Sequence, residues 1–360
     1  MESKITFGVW GAVTLLINTI CARIFLNFPR QIIEVSGPAA WIVVIYISTL
    51  MLLIFKFIEK LFSHFQGMDI IDISEIYIGS VGRIIVGTLV ILLLTYICSI
   101  ILREYAENMK TISLTDSPIS FVTTFFLAGM LCGAFFGIEP LIRYHSIMVP
   151  VIVAALLFII IAVIPYFDLS NFAPWFGNGP KNIFGKGLMN ISLFSPLLYL
   201  YLLPPYIKSH SNFKKSGFLG IILSAIFLLL STLGYTAVYP YPSNTESFLP
   251  TFQLARLINY SRFFQRIEAI FVLAWASSAF MYLSIILFFL AHVFKKTFKL
   301  QYDRPLIILF SSIIFILSLL PPNLITAIDL ETKYYGYFSW IVTIIMPFII
   351  LIIAKVKKKT

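Results

Sequence analysis

The sequence predicts an all-α membrane protein: ten transmembrane helices in a five-plus-five inverted repeat, with the first and sixth helices broken. Three observations carry this prediction. Apolar runs of spanning length recur along all 360 residues. Charged residues make up only 12% of the chain, against roughly 25% in ordinary soluble proteins. Two of the runs are interrupted at membrane depth by polar residues or a proline. With 59% hydrophobic residues and 35 phenylalanines, the chain lacks the polar surface that a water-facing shell requires. Hydrocarbon is the solvent that accommodates such a composition.

A helix needs about 20 apolar residues to cross the hydrocarbon core. The runs that qualify are 6–28, 38–58, 82–102, 118–137, 142–165, 187–206, 217–239, 266–294, 305–321 and 338–354. The first is too long for a signal-peptide core and no small-residue cleavage site follows it, so it reads as a retained helix. Between the fourth and fifth runs lies only the stretch Gly137 to His145. Glu139 and Arg143 there form an i,i+4 pair, and a tight cytoplasmic turn fits better than one continuous helix. Gly129, Gly133 and Gly137 recur every fourth residue on the fourth run, a spacing that lets helix backbones approach closely.

The net charge is +10. The basic residues sit in short segments between apolar runs, such as Lys295, Lys296 and Lys299, and in the tail Lys355, Lys357, Lys358 and Lys359. With the N-terminus inside, sixteen Lys and Arg residues fall on the inner side against nine outside, with Arg23 left within a span. This bias predicts both termini in the cytoplasm and an even number of spans. No groove-entering motif accompanies the charge, so nucleic acid is not an expected partner. Cys21, Cys98 and Cys132 lie in three different apolar runs, and His64, His145, His210 and His292 read as segment edges or loops. Neither set has the spacing of a disulfide framework or a metal site. No phosphate-cradling glycine loop, HExxH or GxSxG motif is present, so neither an enzyme nor a cofactor is expected.

Two long outer segments remain. The first, 166–186, carries Pro174, Trp175 and Pro180, with Trp175 placed as a membrane-surface anchor. The second, 240–262, repeats Phe252, Leu254, Leu257 and Ile258 at helical spacing and reads as an interfacial helix.

The informative residues are polar groups and helix breakers at membrane depth. In the first run Asn18, Thr19, Arg23 and Asn27 interrupt the apolar pattern ahead of Pro29. A break near Cys21 to Ile24 frees backbone groups that a ligand, an ion or neighbouring helices must satisfy. Half-helix N-termini favour an anionic group, and Arg23 could add a bidentate contact to a carboxylate; a structural pairing of Arg23 is the competing reading. In the sixth run Pro196 removes a mid-span hydrogen bond, and Ser192 and Ser195 could rebond the loosened backbone. Phe194 to Leu198 then lines a cavity, unless the proline only kinks the helix. Breaks at corresponding positions of two five-helix halves point to an inverted-repeat transporter fold and to its binding site. Thr95 and Tyr96 in the third run, with Trp275, Ser277 and Ser278 in the eighth, are weaker candidates that also suit plain packing.

The chain resembles the spore germination permease family, the B subunit of spore germinant receptors within the amino acid/polyamine/organocation transporter superfamily. The resemblance rests on Phe25-Leu26-Asn27-Phe28-Pro29-Arg30 before Gly37, on the aromatic-Ser-Pro segment ending Leu203-Pro204, on Arg266-Ile267-Glu268 ahead of Val272-Leu273-Ala274-Trp275, and on Pro347 before the basic tail. It implies one permease-like domain with repeats at about 1–165 and 187–354. It also implies an endospore inner-membrane location, partner A and lipoprotein C subunits, and an amino acid or similar nutrient as ligand. The implied pocket comprises Thr19, Cys21, Ala22, Arg23, Ile24, Phe194, Ser195 and Leu198, faced by Thr95, Tyr96, Trp275 and Ser278. Family members usually carry glycines at the first break, where this chain has Cys21-Ala22-Arg23. That departure implies a narrower pocket and a fixed cation in place of a coupling sodium ion or proton. A germinant sensor is the expected function; an amino-acid transporter working by alternating access, or a scaffold without a ligand, are the alternatives.

Overall fold

The computed structural model describes residues 6–258 and 268–359. Arg266 and Ile267, used above for the resemblance, and the end of the 240–262 segment lie outside the described residues. The chain opens with α1 (Val9–Cys21), a 3₁₀ turn (Ala22–Phe25) and α2 (Phe28–Ser36), then α3 (Ala40–Phe62) and α4 (Ile70–Ile78). Next come α5 (Ser80–Ile112), α6 (Ile119–Phe136) and α7 (Ile138–Ala162). A 3₁₀ segment (Lys186–Phe194) leads into α8 (Leu197–Leu202), followed by α9 (His210–Val238), α10 (Pro250–Leu257), α11 (Glu268–Phe298) and α12 (Arg304–Ser318). The last element strings together α13 (Leu324–Leu330), a π turn (Glu331–Tyr335), α14 (Gly336–Trp340), a second π turn (Ile341–Ile345) and α15 (Met346–Lys359). Among the described residues seven helical stretches are long and apolar enough to cross a membrane, and two shorter apolar helices, Val9–Phe25 and Arg304–Ser318, accompany them.

The two breaks stand where the sequence places them. After Cys21 the chain tightens to 3₁₀ geometry, and Leu26 then leaves the helical region altogether (φ −109°, ψ −130°). The helix resumes at Phe28 with Pro29 in its first turn, where a missing N–H costs nothing. In the sixth run Pro196 stands immediately before α8, and the residues ahead of it form 3₁₀ rather than α turns. The backbone N–H of Phe7 donates to the Tyr206 carbonyl at 2.8 Å, joining the start of the first broken segment to the end of the second.

Around this centre, α1 packs on α9 and α7, while α11 packs on α5, α6 and α7. The glycines of α6 serve this packing inside one chain. A Cβ on Gly129 would fall 2.3 Å from the Phe280 ring and one on Gly133 2.2 Å from Ser284 Oγ, both on α11. Gly137, at φ +86°, makes the turn between α6 and α7, and the Arg143–Glu139 pair beside it closes at 2.5 Å.

The structure corrects several boundaries. The third span runs on to Ile112, so Arg103, Glu104 and Asn108 are buried helix residues and not an outer loop. The last span starts at Leu324 instead of 338, which carries Glu331 into the bundle. Charges that end a hydropathy run are tolerated here because they face protein and not lipid. Arg103, for example, reaches Glu107 at 2.7 Å and the Pro322 carbonyl at 3.2 Å. His145 is a buried residue of α7 and His292 a half-buried one of α11, so both lie within helices and not at segment edges. The helix expected at the interface forms as α10, yet its Thr251, Leu254 and Ala255 are buried against the broken first segment and α11. Trp175 is exposed on the segment between α7 and α8.

On the side away from α10, α4 is held by charge. The Asp69 carboxylate caps it by accepting from the N–H groups of Ile71 and Asp72 at 2.9 Å, and Asp72 answers to the Asp69 N–H. Lys296 of α11 bridges Asp69 and Asp72, while Arg83 and Lys299 converge on Glu75 at 2.7 and 2.6 Å. Burial pushes the Asp69 carboxyl up to about 6, outweighing the pull of Lys296 in the opposite direction.

Candidate functional site

The first break delivers Arg23 into the middle of the bundle. Its side chain is 4% exposed and its Nη1 pairs with Glu331, itself 1% exposed, on the first π turn of the last helix. A π turn adds a residue to the helical repeat and re-aims the side chains that follow. Here it carries both Glu331 and Tyr335 to the break. The Arg23 guanidinium lies over the Tyr335 ring at 5.2 Å, and the Tyr335 hydroxyl bonds the Ser195 hydroxyl just ahead of Pro196. Arg23, Glu331, Tyr335 and Ser195 therefore form one chain of contacts linking both broken segments to the last helix. Ser195 spends its hydroxyl on Tyr335 instead of restoring the loosened backbone; its carbonyl accepts from Thr343 at 3.4 Å.

A second carboxyl joins them. Glu104 of α5 is 1% exposed and lies within hydrogen-bonding range of Glu331. Tyr282 of α11 lies close to Arg23. Among the described residues, no hydrogen-bond partner reaches Arg23 Nε and Nη2, Glu104 Oε1 or Glu331 Oε2. Buried charged groups left with spare hydrogen-bonding capacity are uncommon and are a mark of functional sites.

The other expected site residues take several different places. Ser278 and Asn18 exchange hydrogen bonds, Ser278 Oγ to Asn18 Oδ1 at 2.8 Å and Asn18 Nδ2 to the Ser278 carbonyl at 3.4 Å, tying α1 to α11 one turn below the break. Trp275 is fully buried edge-on to Tyr105 at 5.4 Å and Phe126 at 5.7 Å, and Tyr96 donates to the Leu330 carbonyl beside Glu331 at 2.9 Å. Phe194, Leu198 and Ala22 are buried around the same breaks. Thr19 turns its hydroxyl back to the Leu15 carbonyl at 2.8 Å and Cys21 points to the Ser224 carbonyl at 3.8 Å, so both serve helix packing. Thr95 is half-buried on α5, its carbonyl engaged by Ser99. The Ile24 carbonyl, freed by the break, accepts from the Thr251 hydroxyl of α10 at 2.7 Å. Of the partners expected from the sequence, a ligand, an ion or a neighbouring helix, it is a neighbouring helix that satisfies this carbonyl.

On one side of the site Phe25, Phe271 and Phe252 pack ring against ring, with centroids 5.9 and 5.3 Å apart. Beside them a cavity of about 140 Å³, lined by Asn27, Arg30, Glu34 and Asp329, reaches to within a turn of Glu331. At the other end of the broken segments lies a larger cavity of about 430 Å³, lined by Thr6, Phe62, Pro204, Lys208 and His210. Sequence reading found Arg23, Ser195 and Ser278. It missed Glu104, Glu331, Tyr282 and Tyr335, which lie beyond the apolar runs or within them without a polar break.

Such a centre, with a cation and two acids buried where two interrupted helices meet, suits recognition of a small polar molecule better than bond-making chemistry. Among the described residues no cluster of metal-ligating side chains occurs. A family model described as "Spore germination protein" matches residues 9–325. Spore germination protein A2 of Bacillus subtilis (strain 168) is 22% identical over 365 residues, covering 99% of this chain and 98% of that protein. Spore germination protein B2 of the same organism is 19% identical, covering 99% and 97%. Among solved structures, MhsT in complex with L-phenylalanine superposes with a TM-score of 0.71 at 13% identity, covering 97% of this chain and 89% of that one. A Na⁺-coupled sialic acid symporter in a substrate-bound outward-open state gives 0.67 at 15% identity, covering 94% and 77%. The fold is that of these transporters.

Proposed function

The chain belongs to the spore germination protein family, and from that premise we propose that it is the nutrient-sensing B-type membrane subunit of a spore germinant receptor. The observation that carries the reading is the Arg23–Glu331 pair, buried where the two broken segments meet the last helix. A zwitterionic amino acid presents the two charges that this pair presents, with opposite partners. Its carboxylate would take the two free donors of Arg23 bidentately, and its ammonium would take Glu331. Binding then exchanges one internal ion pair for two to the ligand and separates the break from the π turn. A ligand that favours the separated arrangement shifts the population toward it, and partner subunits of the A and C kind would read that shift. We place this subunit in the endospore inner membrane with both termini on the core side, and its two repeats at about 1–165 and 187–354.

The test is a thermal-shift screen of the purified chain against amino acids, nucleosides and sugars. A ligand that binds only the folded state raises the unfolding midpoint with its occupancy, and stabilisation by amino acids is the expected result. No stabilisation by any amino acid would overturn the ligand class.

The transporter-like fold supports a second reading, alternating-access transport of the same ligand. Uptake of radiolabelled amino acid into proteoliposomes holding this chain alone would favour transport. Absent uptake, together with a germination defect of Arg23→Ala spores, favours the receptor.

A further inference from the structure

The buried centre holds one guanidinium and two carboxyls, which do not balance. We propose that the Glu104–Glu331 pair is a proton-binding site: one proton is held between the two carboxyls, beside Arg23. The geometry carries this. Both acids are almost fully buried, they lie within hydrogen-bonding range of each other, and no donor from the described residues reaches Glu104 Oε1 or Glu331 Oε2. Two ionised carboxylates at this range repel, and burial denies them water to screen the repulsion. Arg23 compensates one of them. A proton on the other supplies the missing donor, turns the repulsion into a hydrogen bond and leaves the centre neutral.

Among the described residues, the remaining titratable groups around the pair offer no second cation: Arg103, next to Glu104 on α5, is engaged by Glu107 and the Pro322 carbonyl. Tyr105 flanks Glu104 on its own helix, Tyr282 faces in from α11, Tyr335 from the π turn and Tyr96 from about two turns nearer the start of α5. All are neutral phenols at physiological pH. The site therefore takes a proton where the sequence, with an arginine at the break, predicts that a fixed cation dispenses with a coupled ion. The two charges have different tasks: Arg23 neutralises Glu331, and the proton neutralises Glu104. The pair shares its proton as a unit, so it titrates as a pair and not as either residue.

The proton site is independent of the ligand's identity, so the purified full chain with nothing added is enough to test it. At about pH 8 Asp69, with its pKa near 6, is ionised and does not interfere. The infrared spectrum should then show the carbonyl stretch of a protonated carboxylic acid, shifted in heavy water. Glu104→Gln should abolish it, since the amide keeps the donor without a titratable proton. Glu331→Gln should abolish it too, because Arg23 then faces a single carboxyl and holds it ionised. Absence of the band from the unaltered protein at about pH 8, or its persistence in Glu104→Gln, would overturn the proposal. A band present in a protein that no amino acid stabilises would sink the proposed function and leave the proton site standing.

Discussion

Glu331, the residue that opens the π turn in the last helix, pairs with Arg23 of the first break. The pair is desolvated on all sides, and breaking such a pair from one side leaves a lone buried charge. Arg23→Gln and Glu331→Gln should each destabilise the protein by roughly 3–5 kcal/mol. The double substitution should recover much of that loss, which thermal unfolding in detergent would read as a non-additive cycle. Additive losses would show that the two residues act independently.

Thr251 is the second device at the break. Its hydroxyl satisfies the Ile24 carbonyl and fastens α10 to the broken segment. Thr251→Val keeps the volume but leaves that carbonyl without a donor, a cost of about 1–3 kcal/mol for a buried group. Thr251→Ser should retain most of the stability. Unfolding midpoints of the two variants check this, and equal losses would mean that the methyl group, and not the hydroxyl, holds the helix.

The Ser195–Tyr335 contact joins the second broken segment to the same π turn. Ser195→Ala and Tyr335→Phe should each lower stability modestly. Measured together, they should show a coupling of about 0.5–3 kcal/mol, the range for groups sharing one hydrogen bond. A coupling of zero would place the two hydroxyls in separate networks.

Much of this centre was legible in advance, for a physical reason. Asn18, Arg23 and Asn27 cannot sit in a continuous lipid-facing helix, and Pro196 cannot bond within one, so both breaks announce themselves locally. Their corresponding positions in the two five-helix halves also pointed to one shared site. Glu104 and Glu331 were hidden because a hydropathy reading ends a span at its first charges. Here those charges are paired across the bundle, a tertiary fact that no local window contains. The π turn that aims Glu331 and Tyr335 has no sequence signature of its own. α10 was recognised as a helix by its spacing, but its docking on Ile24 depends on a backbone group that only the break exposes.

Asp69 gives a pH prediction outside the membrane spans. Its pKa is raised from 3.8 to about 6 in the fold. Between those values the folded state binds more protons than the unfolded state, so stability falls as pH rises from about 4 to about 6 and is flat beyond. Asp69→Asn retains a competent helix cap and should flatten that segment of the stability curve. Unfolding midpoints measured across the window test it; an unchanged slope would assign the pH dependence to another group.

The central claim is that a nutrient enters by exchanging places with the Arg23–Glu331 contact. The most direct measurement compares amino-acid-dependent stabilisation of the unaltered protein with that of Arg23→Gln, each relative to its own ligand-free midpoint. At ligand near a hundred times Kd the unaltered protein should gain about 2.7 kcal/mol, and Arg23→Gln should gain almost nothing. An undiminished gain in Arg23→Gln would contradict the account, because the ligand would then bind without the guanidinium that the first break places at the centre of the bundle.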